Sequence, residues 1–371
     1  DHEAALAVLV ELATNQPFDA VIGTDDSTLE LAAKLAEQTG LQQNPPSAVR
    51  ISRRKDLSRV CLQQAGVQVP EFTVINAADN SPFDDPHFGF PCVVKPLALS
   101  GSRGVIRADS RTSLQQGFQR SLRIISEEYD LYEKSHLIIE QFIAGREFAI
   151  EGMLSDGYLD VLAMFDKPDP LDGPYFEETF YISPARITGK ERQLIVDAVQ
   201  RSCQAYGLVT GPVHAECRLN ESGAWLIELA ARTIGGLCSR LLNFGTGYSL
   251  EELVLAYAIG VDLPKKVSSG AAGVLMLPIL QQGVLRRVEG VMKAEKIPYI
   301  DDIEISLREG YKVYPLPEGA SYLGFVFSSA PDADTVERAL RNANRQLKPV
   351  IAPFWPVVDG KKEASSETAA G

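Results

Sequence analysis

Two short apolar runs, residues 213–219 (VHAECRL) and 225–230 (WLIELA), flank Asn220, Glu221, Ser222 and Gly223 and constrain this chain more than any other stretch. Asn, Ser and Gly are turn formers, and such a turn between two apolar runs predicts an antiparallel hairpin. With the hairpin centred on position 222, Glu216 and Glu228 stand directly opposite each other. Opposite residues share a face, with Cβ atoms about 4.5–5.5 Å apart. Two like charges there destabilise a sheet unless something compensates. A divalent cation does so, and oxygen ligands suit Mg²⁺. A bulge would break this register. Alternation puts His214 on the same face, and Ala230 and Arg232 follow Glu228 at even spacing. A charged, solvated sheet face is the other reading, because antiparallel sheets often have one wet side.

The rest of the chain supplies a context for those acids. Residues 90–96 (FPCVVKP) read as a buried strand ending at Lys95, before the small, basic stretch ALSGSRG at 98–104. A lysine there neutralises phosphate while the backbone N–H groups of the loop and Arg103 cradle it. A strand-end lysine beside an ordinary loop is the plainer alternative. Lys55 lies on a basic run, 52–65, that reads as one helix, and such faces are usually solvated. Residues 20–23 read as a short strand, with Ser27 capping a helix to about Gln38 and Glu30 at the capping-box position. This β-then-α order suggests part of a parallel α/β domain. Residues 137–142 and 148–154 read as strands, and 112–128 and 189–206 as helices. Residues 166–186, rich in prolines and acids, read as a long loop. From about 270 the texture changes to short strands and turns, with a late helix at 332–346.

The expected fold is therefore mixed, α/β and α+β. A partial N-terminal α/β domain takes residues 1–48. The main domain takes 49–265, with a lid at about 88–142 and a central antiparallel sheet. A separate C-terminal α+β unit takes 266–356, and the small, polar residues 357–371 read as a disordered tail. A formal net charge of −13 argues against wrapping nucleic acid or lying on an anionic membrane. No run of 18 apolar residues predicts a membrane span. The five cysteines are odd in number and form no CxxC pair, which fits reduced thiols in a cytoplasmic protein. No signal peptide opens the chain. Asp1 is no initiator methionine, so a preceding segment is expected. A homodimer is the commonest prior for an oligomer.

Taken in order, SRRKDLSRVCLQQAGVQVP, FPCVVKPLALSGSRGV, LIIEQFIAGREFAIEG, GPVHAECRL and WLIELAARTIGG resemble the ATP-grasp enzymes. GVLMLPI and PLPEGASYLGFVF resemble the L-amino-acid ligase and carnosine-synthase branch. The resemblance implies ATP and Mg²⁺ as cofactors, with Mn²⁺ able to substitute. It places Lys55 and Lys95 on the phosphates, Lys95 also near the adenine, and closes Ser100, Gly101, Ser102, Arg103 and Gly104 over them. Glu140, Gln141, Phe142 and Ile143 match the hinge whose backbone reads adenine. Glu147 matches the acid that binds ribose hydroxyls; a surface glutamate paired with Arg146 is its plainer reading. Glu216 and Glu228 match the metal-binding acids. The common family pattern then has an asparagine and an arginine at two-residue steps. Here Ala230 replaces the asparagine while Arg232 remains, a form shared with some peptide-forming members.

The activity so implied is ATP-dependent ligation of a small carboxylate to an amine, through an acyl phosphate. Lys95 and Arg232 would offset developing charge, and the amides of Gly235 and Gly236 would bind the reacting carboxylate. On charge and loop length alone, Glu177 and Glu178 in the acidic loop 166–178 would attract the ammonium group, a solvated loop being the plainer reading of any single acid there. His214 would either assist deprotonation or only hydrogen-bond. A biotin-dependent-type carboxylase using bicarbonate and a non-catalytic ATP-binding module are the competing readings. Small molecules are the expected partners, with neither nucleic acid nor membrane.

Overall fold

The computed structural model describes residues 2–78, 86–128, 130–264 and 269–354. The tail expected at 357–371 lies outside the described residues. Helices α1 (His2–Asn15) and α2 (Leu29–Thr39) flank the segment 20–23. That segment joins no strand ladder, contrary to expectation. Its Val21 carbonyl accepts instead from the side chain of Gln43 (3.0 Å). Nor does Ser27 cap α2: its amide and hydroxyl both donate to Asp25 Oδ1 (2.9 and 2.6 Å), and the helix starts at Leu29.

The basic run over 52–65 is not one helix. It divides into α3 (Pro46–Arg53) and α4 (Lys55–Gln64), with Arg54 extended between them (φ −101°, ψ 108°). The Lys55 amide donates to the Leu97 carbonyl (2.8 Å). The break therefore sets Lys55 at a helix start tied to the end of a lid strand.

The lid is a four-stranded antiparallel sheet of β1 (Phe72–Asn76), β2 (Cys92–Pro96), β3 (Ile106–Ala108) and β4 (His136–Gln141), in the order β1-β4-β2-β3. It starts earlier in the chain than residue 88. Helix α5 (Arg111–Ile125) covers it, burying Leu114, Phe118 and Ile125 against Cys92, Val94, Leu137 and Ile139.

The central region carries β5 (Arg146–Ser155), β6 (Tyr158–Lys167), β7 (Phe180–Ser183), α6 (Gly189–Tyr206), β8 (Gly211–Asn220) and β9 (Gly223–Ala230), then α7 (Arg240–Thr246) and α8 (Leu250–Ala258). Residues 166–186 are thus not a single loop, because β6 runs to Lys167 and β7 follows. Strand β7 is four residues long and pairs mainly with β10 (Ala271–Leu277), far along the chain, which local composition does not reveal. Helix α6 matches its expected bounds. Thr188 and Glu191 form a capping box at its start, and Gly207 ends it in the left-handed conformation. Its apolar stripe, Ile195, Val199, Cys203 and Tyr206, packs on one face of β5, β8 and β9 with Phe148, Ile150, Ala215 and Cys217. The other face carries Glu147, Glu151, His214 and Glu216 beside a second apolar cluster that takes in Ala149 and Met153.

The C-terminal part adds β11 (Gly283–Glu289), α9 (Val291–Ala294), β12 (Ile300–Ile305), β13 (Lys312–Val313), β14 (Gly324–Ala330), α10 (Ala333–Gln346) and β15 (Lys348–Ala352). Strands β10, β12 and β14 continue the central sheet, whose order is β12-β14-β10-β7-β6-β5-β8-β9. One eight-stranded sheet therefore spans residues 146–330, and β11, β13 and β15 form a small second sheet. No helix among the described residues is long and apolar enough to cross a membrane.

Candidate active site

The hairpin β8–β9 sets Glu216 opposite Glu228 by a route the simple register misses. Its turn sits slightly earlier, with Asn220 opposite Gly223 and Cys217 opposite Leu226. Ile227 then forms a β-bulge, after which Glu216 faces Glu228 and His214 faces Ala230. The bulge brings two successive residues, Ile227 and Glu228, to one cavity. Arg59 donates to the Ile227 carbonyl (2.6 Å), satisfying a backbone group at the disrupted ladder.

That cavity lies between the lid and the central sheet and holds about 650 Å³ of empty space. Val93, Ile143, Leu171, Phe176 and Ile227 give it apolar walls, while Lys55 and Lys95 stand in it. Lys95 Nζ lies 2.6 Å from Glu140, which Arg59 also contacts at 2.8 Å. Burial pushes the Glu140 carboxyl up, but Arg59 and Lys95 outweigh it and hold it at about 2. Burial pushes the Lys95 ammonium below the usual lysine range; Glu140 opposes this, while Arg59 and Lys55 add to it. Two cations thus share one buried carboxylate while Lys55 stands beside them, and a polyanion such as a triphosphate would supply further negative charge. Beside Glu140, the Gln141 amide donates to Glu71 O (2.8 Å) and the Phe142 amide to Pro91 O (3.1 Å). The Ile143 carbonyl accepts from Arg218 (2.6 Å).

Deeper in, Lys167 Nζ sits among three acids, 2.9 Å from Glu147, 2.5 Å from Glu178 and 3.0 Å from Glu216. Oxygens of these three acids lie within 4.8 Å of one another. Oxygen-only donors at that spacing fit a hard divalent cation. Burial pushes Lys167 down, but Glu178 and Glu216 outweigh it and hold its proton firmly. Burial drives Glu178 up to about 7, whereas Lys167 and His214 overcome burial and keep Glu216 well below the usual carboxylate range. Glu228 lines the same cavity with its carboxylate 3.8 Å from Lys55 Nζ. Glu147 is buried and also accepts from Arg218 (2.8 Å). It is no surface partner of Arg146, which donates to the Arg186 carbonyl (2.6 Å).

A second cavity, about 1220 Å³, adjoins the first and shares Ser102, Glu178, Glu216 and Glu228 with it. His214, Arg232, Gly235 and Gly236 line it, with Ser100 and Gly101, and Met276, Tyr322 and Phe325 give it apolar wall. Arg232 is held by both oxygens of Asp26 (2.7 Å each). His214 Nδ1 lies 3.1 Å from Glu151 and its Nε2 3.7 Å from Glu216. Burial pushes His214 down, but Glu151 and Glu216 outweigh it and raise it to about 9. A histidine protonated at neutral pH donates hydrogen bonds and does not take up a proton. Glu151, fully buried, also accepts from the Ile234 amide (3.1 Å), just before Gly235.

Arg103, Gly104 and Glu177 line neither cavity. Arg103 reaches toward Glu128 (4.0 Å), and the Gly104 amide donates to Pro317 O (2.9 Å). Glu177 is pushed up to about 7 by burial alone. Sequence reasoning missed Lys167, Arg218, Arg59, Glu151 and Asp26. For Arg218 the signal was present, since it follows His214 and Glu216 at strand alternation.

Residues 88–240 match an ATP-grasp domain, and residues 275–352 match the L-amino acid ligase C-terminal domain 2. The chain is similar to alanine–anticapsin ligase of Bacillus subtilis, 25% identical over 71% of this chain and 59% of that protein. It is similar also to carnosine synthase 1 of Mus musculus, 27% identical over 71% of this chain and 34% of that protein. The crystal structure of L-amino acid ligase from Bacillus licheniformis superposes with a TM-score of 0.83 at 28% identity, covering 95% of this chain and 86% of that one. A lid over a broad antiparallel sheet, with lysines and acids between them, defines an ATP-grasp protein. The chain thus carries an ATP-grasp domain followed by the C-terminal domain of L-amino acid ligases.

Proposed function

We propose that this chain joins a small carboxylic acid, such as an amino acid, to an amine at the expense of ATP, giving a dipeptide or amide, ADP and phosphate. The observation that carries this reading is the junction of the two cavities at Ser102, Glu178, Glu216 and Glu228. A nucleotide in the first cavity would present its terminal phosphate where an acid in the second would present its carboxylate.

A carboxylate oxygen is a poor leaving group, and phosphorylation makes it a good one. Lys55 and Lys95 would hold the phosphates, with the stretch Ser100, Gly101 and Ser102 over them. Glu140, Gln141, Phe142 and Ile143 would border the base, and Glu147 the ribose. Arg232 and the amides at Gly235 and Gly236 would bind the carboxylate and steady the tetrahedral centre formed when the amine attacks. Protonated His214 would donate a hydrogen bond there. Glu178, at the junction of the two cavities, would receive the ammonium group before it loses its proton. Glu216 and Glu228, with Glu178 beside them, would hold Mg²⁺. The chemistry Mg²⁺ would supply there is neutralisation of the charge that spreads in phosphoryl transfer. The five cysteines are free, which suits a cytoplasmic site of action.

The test is ADP and phosphate release from Mg-ATP with single acids and with acid–amine pairs, followed by mass spectrometry of the products. Release that needs both an acid and an amine, with a condensed product, supports the reading. Turnover with bicarbonate and biotin alone would overturn it, as would tight ATP binding with no turnover across the full panel.

A further inference from the structure

The lid does not close on the central sheet alone. Arg120, on α5 of the lid, grips both oxygens of Glu318 from the C-terminal part (2.6 and 2.8 Å). Arg120 also donates to the hydroxyl of Tyr175, in the β6–β7 loop. Three residues that sequence separates widely thus meet at one point. Close by, the Gly104 amide, at the end of the glycine stretch, donates to Pro317 O, the residue before Glu318. A Cβ placed on Gly101 would meet the Ala320 side chain at 3.5 Å, so the middle of that stretch also lies against the 317–320 turn. On the other flank, Arg107 binds the same β6–β7 loop through its backbone amide to Pro174 O (2.9 Å) and its guanidinium to Asp172 O (2.7 Å).

We propose that Arg120 and Glu318 are positioning residues that latch the glycine stretch shut, making the C-terminal part the catch for the lid. This rests on the ligase reading, because an acyl phosphate is what a shut lid would protect. Water reaching that intermediate converts it to the free acid and inorganic phosphate, so ATP is consumed and no amide forms. Neither residue lines the nucleotide or substrate cavity. A two-pronged guanidinium–carboxylate contact is directional as well as attractive. It is partly exposed, so its effect on the open–closed equilibrium should reach up to about fivefold.

The experiment uses Glu318→Gln, Arg120→Gln and the charge-exchanged pair Arg120→Glu/Glu318→Arg, with two readouts. The first needs no turnover: hydrogen exchange across residues 98–106, which contain the Gly104 amide. Faster exchange in both single variants and slower exchange in the exchanged pair support the latch; unchanged exchange in the single variants overturns it. The second is the ratio of ADP released to amide formed. An excess of ADP over amide, relative to amide, raised up to about fivefold in the single variants and restored in the exchanged pair supports the latch, and an excess that stays at the wild-type value overturns its role in coupling. A wild-type chain that forms no amide with any pair would count against the ligase reading, while the exchange measurement would still decide whether the latch exists.

Discussion

Lys167 occupies the place in this site where charge is most crowded. Its ammonium touches Glu147, Glu178 and Glu216, all within a buried pocket. Replacing it by methionine keeps the shape and removes the charge, leaving three acids facing one another. Lys167→Met should lose about 3–5 kcal/mol of stability, the usual penalty for orphaning a buried ion partner. Mg²⁺ should return part of that loss, because it supplies the missing positive charge to the same oxygens. Urea unfolding with and without Mg²⁺ measures both, and a metal response no larger than wild type would count against Glu178 and Glu216 as metal ligands. Glu140 gives a pH-dependent counterpart. Its folded value of about 2 lies below the ordinary carboxyl value of 4.5. Its stabilising effect is therefore complete above the unfolded value and is lost as pH falls toward the folded one. Wild type should lose stability more steeply than Glu140→Gln between about pH 5 and pH 2; parallel curves would show that the ion pair with Arg59 and Lys95 contributes nothing.

At the scale of elements, the hairpin β8–β9 shows what alternation and turn chemistry make legible. The turn residues, the apolar runs and the pairing of Glu216 with Glu228 are all readable from sequence. The bulge is not, because its freed carbonyl is taken up by Arg59, far away in the chain. Deleting Ile227 should leave Glu228 opposite Glu216 in an unbroken ladder, since Leu226 stays opposite Cys217. It should also strip an apolar wall from the nucleotide cavity and weaken ATP binding about tenfold, from roughly 1.5 kcal/mol of lost burial. Calorimetry of ATP binding checks this, and unchanged affinity would reduce the bulge to a register device. Helix α6 was readable throughout, because capping box, apolar stripe and terminal glycine are all local signals. Strand β7 and the split between α3 and α4 were not. The first depends on a distant ladder and the second on a bond from Lys55 to Leu97. Lys167 was hidden for the same reason as β7, since both fell within a stretch whose prolines and acids read as loop.

The whole molecule ties its site together from both ends of the chain. Asp26, near the start, holds Arg232 with two bonds at 2.7 Å. Asp26→Asn keeps one acceptor but loses the charge that fixes the guanidinium. It should lower kcat/KM for the acid substrate roughly tenfold, while leaving ATP affinity at its wild-type value. Equal losses for acid and nucleotide would mean that the N-terminal segment braces the fold and does not orient Arg232. At the other end, the C-terminal strands continue the catalytic sheet through the ladder that pairs Phe180 with Leu275 and Ser183 with Ala272. They also bring Met276 and Phe325 to the second cavity. A crossover between two related genes just upstream of the β10 codons would splice one half of that ladder onto a foreign other half. Such hybrids would inherit mismatched strands along with a new pocket wall. Changes of substrate range in this lineage should therefore arise by single replacements within the wall, and protein engineers seeking new products have reason to mutate in place before they shuffle.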